Sequence, residues 1–295
     1  MQSKIYHLHT LSALHCGVGQ ATGTVDLPIA RARATQLPIV PGSSLRGVLR
    51  ANVEADERMK KGAEALFGPR TISGSTDAFA GALSVGDANL LLLPVRSLAG
   101  VVCFATSPFV LAAYRRDRLR SGLSAPELPQ TPDGNQAKVG SDTANLLEGK
   151  LVLEDLDLDA SKDPTLTQWA SLLADSIFTD DPAGRESLST RMALLPDDIF
   201  VFLAETATEV RTRIAIDPQT GVVRNGALWF EENLPAESIL WGVHALTGSN
   251  KQGDERDAQA LEACLPASGV LLQVGGKAGV GHGLVRLIRE GGSHE

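Results

Sequence analysis

The sequence predicts an α+β protein built around a largely antiparallel sheet. Three observations carry this. Runs of strand length, many with period-two alternation, interleave with helix-start signals along the whole chain. The links around residues 90–101 and at Gly221 are too short for parallel crossovers. A 43% hydrophobic and 21% charged composition over 295 residues supplies a large core and excludes a globally disordered chain. The order of elements in the first hundred residues, strand, helix, strand, then strand and helix, fits the ferredoxin-like βαββαβ plan. The region after about residue 145 is expected to complete that sheet, with additions. A flavodoxin-like doubly wound fold is the alternative, and the short links disfavour it.

Residues 4–14 read as a first strand, with Ile5, His7, His9 and Leu11 on one face and Tyr6, Leu8 and Thr10 on the other. Gly17, Gly19 and Gly23 then mark a loop ending at Asp26, of a kind that approaches a ligand closely. A helix follows from Gly42-Ser43-Ser44-Leu45, with a serine expected as its cap and Leu45, Val48 and Leu49 as its apolar stripe. Residues 82–95 give one or two strands and 101–106 another. Ser107-Pro108 opens a helix by cap and proline at the first position. Residues 121–143, rich in Pro, Gly, Ser and Asp, read as a mobile insertion or long loop. Strand character resumes at 150–155, and Pro164 opens a helix with Leu166, Trp169, Leu173 and Ile177 on its apolar face. The alternating runs 209–216 and 222–230, around Asp217-Pro218-Gln219-Thr220-Gly221, predict a β-hairpin. Three more strands are expected at 238–245, 270–274 and 284–288. The last two are joined by the glycine-rich loop 275–283.

With 27 Lys plus Arg against 35 Asp plus Glu, the net charge of −8 excludes a binder that works by bulk positive charge. Aromatics at 4% leave few side chains for base stacking. No apolar run approaches the roughly 20 residues of a membrane helix, and the N-terminal residues do not resemble a signal peptide. Cys16, Cys103 and Cys264 are widely spaced and odd in number, which points to reduced thiols and a cytoplasmic protein.

Two segments have the make-up of phosphate sites. Loop 275–283 holds glycines that let N–H groups converge on an anion, beside Lys277. It lacks the Walker pattern, and a strand follows it, which excludes a dinucleotide fingerprint. Ser43, Ser44 and Arg46 stand at a helix start, with Arg50 one turn on. Asp26 is a loop carboxylate able to hold a metal ion or take a proton, although such residues more often form turns. His15 precedes that loop, and Glu231 and Glu232 end the hairpin. Arg31, Arg33 and the group Arg115, Arg116, Arg118 and Arg120 are further basic clusters, for which a solvated face is the plain alternative. No HExxH, GxSxG or nucleophile triad is present.

The run from His7 to Gly19 resembles the opening strand of the RAMP superfamily of CRISPR proteins. The continuations at Gly23–Ile29 and Leu37–Gly47, with the segments Ala80–Ala88, Leu92–Leu98, Leu228–Pro235 and the glycine loop, resemble the fourth-subunit family of the Cmr complex, the type III-B effector. His282 departs from the lysine expected there. The resemblance implies a single modified ferredoxin-like, RRM-related domain with insertions, one at about 121–147. It also implies a protruding β-hairpin thumb, for which 209–232 is the candidate thumb or its base and 194–205 an alternative tip. Copies would stack along guide CRISPR RNA beside other Cmr subunits and cut single-stranded target RNA at regular intervals. The activity implied is that of a metal-dependent endoribonuclease using Mg or Mn. The family's essential aspartate matches Asp26, which would also bind the metal, and His15 and Glu231 match assisting positions. Guide contacts are expected from Ser43, Ser44, Arg46 and Arg50, and from Gly275, Gly276, Lys277, Gly279, Gly281 and His282. RNA brings its own nucleophile in the 2′-OH, so a sparse site suffices. The competing readings are a non-catalytic guide-binding scaffold and a histidine-dependent guide-processing nuclease that needs no metal.

Overall fold

The computed structural model describes residues 2–20, 25–71 and 78–290, so residues 21–24 of the first glycine-rich loop lie outside the described residues. The N-terminal part contains β1 (Gln2–Thr10), β2 (Ile39–Val40), α1 (Gly42–Ala55), α2 (Ala63–Phe67), β3 (Leu83–Val85), β4 (Ala88–Ser97), β5 (Val101–Thr106) and α3 (Pro108–Arg120). The middle adds β6 (Gln136–Val139), β7 (Leu146–Leu147), β8 (Lys150–Leu153), β9 (Leu156–Lys162), α4 (Pro164–Ile177), α5 (Pro182–Arg191), β10 (Met192–Leu194) and α6 (Asp197–Thr206). A hairpin of β11 (Glu209–Ile216) and β12 (Val223–Asn233) is followed by β13 (Ile239–Leu246), α7 (Ala258–Glu262), β14 (Val270–Gln273) and β15 (Leu284–Arg289).

The main sheet runs β14-β15-β1-β13-β4-β5-β10-β6-β9-β8-β7, with β2 and β3 paired at its side. β1 sits between β13 and β15, antiparallel to both, with Tyr6 opposite Gly242 and Arg289. The β4–β8 pairing at Ser97 and Leu153 closes β4, β5, β10, β6, β9 and β8 into a barrel-like ring. The expected strand–helix order is present as β1, α1, β4, β5 and α3, but the strands that build one ferredoxin-like sheet are not consecutive. The first hundred residues supply β1, α1 and β4, but the neighbours of β1 come from 239–246 and 284–289. The residues between β4 and β13 build the ring and the hairpin.

β1 is buried on both faces, although its pattern alternates. Tyr6 shares a small cavity wall with Leu45 and Leu49 of α1, while His7 bonds Tyr114 of α3 at 2.8 Å on the other face. Trp169 and Tyr114 anchor that second layer, fully buried and 6.0 Å apart between ring centroids. Three of its helices begin with a capping side chain followed by proline: Ser107-Pro108, Asp163-Pro164 and Asp181-Pro182.

Two further expectations change. The cap of α1 is not a serine. Pro41 occupies the cap position, Asp87 accepts from Gly42 N at 2.7 Å, and Ser43 and Ser44 are exposed in the first turn. Segment 121–147 is not a free loop, since β6 pairs with both β10 and β9 inside the sheet. Glu127 O accepts from Trp169 Nε1 at 2.8 Å, and Gln130 N donates to Asp163 at 3.2 Å. Half of the Arg115–Arg120 cluster is drawn into the fold as well, while Arg116 and Arg120 stay exposed. Arg118 is buried against Glu290 and Tyr114, and Arg115 bonds Pro126 O and Glu127.

Candidate functional site

Past the end of β1 the chain does not stop pairing. Leu14 and Leu234 exchange both backbone bonds, at 2.8 and 2.9 Å. Gly17 then bridges Ile29, and Leu27 runs parallel to Glu231. The first loop therefore folds back on the foot of the β11–β12 hairpin. This brings Asp26, His15, Glu231 and the glycine loop, far apart in sequence, to one place.

Asp26 is exposed, and its Oδ2 accepts from Phe230 N at 2.8 Å. Its Oδ1 takes no hydrogen bond from the described residues. His15 is buried. Its Nδ1 donates to the Glu232 carbonyl at 2.7 Å, which fixes the tautomer, and its Nε2 lies 2.6 Å from where a Gly17 Cβ would stand. Only glycine fits at 17 with the ring in this pose. Gly276 N donates to His15 O at 2.8 Å, and Gly275, at φ +75°, passes so close to that carbonyl that a side chain would collide with it. The glycine loop is thus docked on the residue that precedes the first loop.

Glu231 is 1% exposed and fully engaged. Lys277 Nζ and Trp229 Nε1 donate to its Oε1 at 2.6 and 2.7 Å, and Arg213 Nε donates to Oε2 at 3.2 Å. Burial opposes ionisation, but these donors outweigh it and hold the carboxyl down to about 2. Such a group is a poor proton acceptor near neutral pH. His282 is 2% exposed, and its Nε2 faces Arg211 and Arg213 at 3.0 and 3.4 Å. Desolvation, then the two guanidiniums, lower its pKa, so the ring is a neutral acceptor joining the glycine loop to the hairpin. Lys277, Ala278 and Gly279 keep backbone N–H groups without an acceptor among the described residues, while Lys277 and Gly281 adopt left-handed backbone.

The helix-start residues do not join this group. Arg46 donates to Phe67 O at 2.8 Å and lies over the Phe67 ring, and Arg50 pairs with Glu54 at 2.8 Å. Sequence reasoning also missed Glu232, which reads as one of two solvated acids. It is buried and bonded to Ile29 N, Arg31 and Thr208. The only sequence signal for it is alternation: adjacent strand residues point to opposite sides, so a buried Glu231 turns Glu232 toward a different neighbour. Arg31, expected in a basic patch, is spent on Glu232 and on the carbonyls of Gln36 and Ala204.

No group of three or more His, Cys, Asp or Glu side chains among the described residues is arranged to hold a metal ion. Glu231 and Glu232 have their oxygens occupied by protein donors, which leaves Asp26 as the carboxylate with an open coordination position. A single carboxylate supplemented by substrate oxygens is a pattern Mg²⁺ accepts.

Comparison with known proteins gives a consistent result. Residues 7–286 match the family model of the RAMP superfamily. The "CRISPR system Cmr endoribonuclease Cmr4" of Pyrococcus furiosus is 34% identical over 303 residues, covering 100% of this chain and 99% of that protein. The crystal structure of oligomeric Cmr4 from Pyrococcus furiosus superposes with a TM-score of 0.74 at 26% identity, covering 100% of both chains. A chain from the cryo-EM structure of the type III-B Cmr-beta complex bound to cognate target RNA shares the fold, with a TM-score of 0.74 at 19% identity and coverage of 98% and 97%. The chain belongs to the RAMP superfamily and, within it, to the Cmr4 family.

Proposed function

We propose that the chain is a backbone subunit of a type III-B CRISPR ribonucleoprotein. Copies line up along guide CRISPR RNA, beside other Cmr subunits, and cleave a complementary single-stranded target RNA at regular intervals. The observation that supports this most directly is the position of Asp26. It is an exposed carboxylate, braced by Phe230 N–H at the foot of a hairpin that pairs with no other strand. In this reading β11–β12 is the thumb, and the antiparallel order β15-β1-β13-β4 is a ferredoxin-like core whose second and third strands are separated by a large insertion. No helix among the described residues is long and apolar enough to cross a membrane, and we place the protein in the cytoplasm.

The chemistry needs little from the protein. Attack of a ribose 2′-oxygen on the adjacent phosphorus breaks the P–O5′ bond. The 2′-OH proton leaves to a base, the 5′-oxygen gains a proton, and the products are a 2′,3′-cyclic phosphate and a 5′-OH. The hairpin would splay the backbone so that the 2′-oxygen lies in line. Asp26 would hold its carboxylate where that phosphate passes, and the excess of Lys277, Arg211 and Arg213 over Glu231 and Glu209 would supply positive potential for the developing charge. His15 is buried and tied at Nδ1, which suits it to hold the first loop. A divalent ion, Mg²⁺ or Mn²⁺, would be held by Asp26 and RNA oxygens and would stabilise charge on the leaving oxygen as a Lewis acid. The open N–H groups at Lys277–Gly279 and the exposed Ser43 and Ser44 are the guide-phosphate contacts in this scheme.

The test is the product pattern of an end-labelled target RNA incubated with the assembled complex. Evenly spaced products, abolished by EDTA and by Asp26→Ala, are expected. One product at a repeat sequence that survives EDTA would instead mark a guide-processing nuclease. Binding without any product would mark a scaffold.

A further inference from the structure

The Asp26 loop has its own brace. Leu27 N donates to Phe230 O at 3.1 Å and Glu232 N to Leu27 O at 3.0 Å, which fixes the segment at one point beside β12. Two residues on, at Ile29, the pairing with β12 ends, and the bridge to Gly17 leaves Ile29 N without a backbone acceptor. There the Glu232 side chain takes over. Its Oε2 accepts from Ile29 N at 3.0 Å, and its Oε1 accepts from Arg31 at 2.5 Å and from Thr208 Oγ1 at 3.1 Å. Arg31 in turn reaches the Ala204 carbonyl at 3.0 Å, at the end of α6. The side chains of Glu232 and Arg31 are only 8% and 15% exposed, so the pair is shielded from solvent competition. The main chain of the same glutamate accepts from His15 Nδ1 at 2.7 Å.

We propose that Glu232, charge-balanced by Arg31, is a positioning residue that holds the Asp26 segment and the His15 ring in one frame. It touches neither Asp26 nor a reacting atom. Its effect passes through Ile29 and Arg31, three and five residues beyond Asp26, and through the backbone that carries Glu231. A carboxylate that must meet a phosphate needs its loop fixed to a fraction of an ångström, and a misplacement of about 1 Å costs on the order of a hundredfold in rate. This inference rests on the assignment of Asp26 to RNA cleavage.

The test uses complexes assembled with Glu232→Gln, Glu232→Ala, Arg31→Leu, and the double variant Glu232→Ala with Arg31→Leu. Single-turnover cleavage is measured across target concentrations. Each single variant should slow cleavage at saturating target at least about tenfold, with half-saturation and ladder positions unchanged. The double variant should be no slower than the worse single, because the two residues act as a unit. Wild-type rates with Glu232→Ala would overturn the proposal. So would a loss confined to half-saturation, or single losses that multiply in the double. Glu232→Gln preserves volume and one acceptor oxygen, so its failure to assemble would make the contact a folding element and overturn the proposal too. A wild-type complex that does not cleave, or a fully active Asp26→Ala complex, would overturn the cleavage assignment instead and is read separately.

Discussion

Phe230 N donates to Asp26 Oδ2 at 2.8 Å across a sequence separation of 204 residues. The hairpin strand and the loop carboxylate are therefore one unit: moving the foot of β12 moves Asp26. The bond uses one carboxylate oxygen and leaves the other without a hydrogen bond from the described residues.

That division separates two substitutions. Asp26→Asn keeps an oxygen for Phe230 N–H but loses the charge, whereas Asp26→Ala loses both. Both should reduce target cleavage by about a thousandfold or more, the scale for losing a group on which charge stabilisation depends. Guide and target binding should persist in both, measured by native gel shift. Substantial cleavage by Asp26→Asn would show that geometry, not charge, is what Asp26 supplies.

Glu231 is the anchor between the hairpin and the glycine loop. Its carboxyl is held down to about 2 from an ordinary 4.5, so its stabilisation is complete above pH 4.5 and is lost as the pH falls toward 2. Glu231→Gln leaves Lys277 and Arg213 without their carboxylate and should cost about 3 kcal/mol in urea unfolding at pH 7. The variant should also unfold with a shallower pH dependence than wild type between pH 4.5 and 2. Equal slopes in that window would mean that the ion cluster does not hold Glu231 as the geometry implies.

Much of the frame was legible in the sequence, for local reasons. Period-two alternation marks both hairpin strands, and a cap followed by proline marks α3 and α4, because these signals act within a few residues. The failures are non-local. Ser43 and Ser44 look like the cap of α1, but the acceptor is Asp87, 45 residues away. Arg31, Arg46 and Arg118 look like free cations, yet each is spent on a carbonyl or carboxylate brought in by tertiary folding. The strands β6 and β10 are too short to show a period, and they form because the ring offers them partners on both sides. Within the candidate site, Asp26 draws notice in the sequence through its loop and its family motif. The brace from Glu232 does not, because it depends on which way a strand-end side chain turns.

His7 offers a test of the second layer. Its ring is fully buried with Tyr114, Arg118 and Glu290 about it, and desolvation lowers its pKa from 6.5 to about 4. The unfolded chain therefore binds a proton that the folded one refuses between those values, and stability falls as the pH drops from 6.5 to 4. The contribution approaches about 1.4 kcal/mol per pH unit in mid-window. His7→Leu should flatten the dependence of unfolding free energy on pH in that range, since Tyr114 keeps its bond from Arg118 at 3.0 Å. His244, similarly lowered to about 4, should supply the slope that remains.

The hairpin carries the last prediction. Beyond the Leu27 bridge at its foot, the β11–β12 hairpin joins no other strand, and one face shows Val210, Ile214, Leu228 and Phe230 to solvent. Its other face carries Arg211 and Arg213, tied to His282 and Glu231 at the base. The distal residues 215–227 thus make no contribution to the core, while the proximal ones hold the site. Replacing 215–227, between the paired residues Ile214 and Leu228, with a two-residue Asn-Gly turn should leave the thermal midpoint within a few degrees of wild type. Assembly on guide RNA and the Asp26 geometry should survive, because every bond to Glu231 and Phe230 lies below the cut. The regular spacing of target products should not survive, since a shortened lever no longer splays the duplex at fixed intervals. If the shortened subunit assembles and gives an unchanged ladder, spacing is set elsewhere and the hairpin serves only to carry Glu231, Glu232 and Phe230 to the loop.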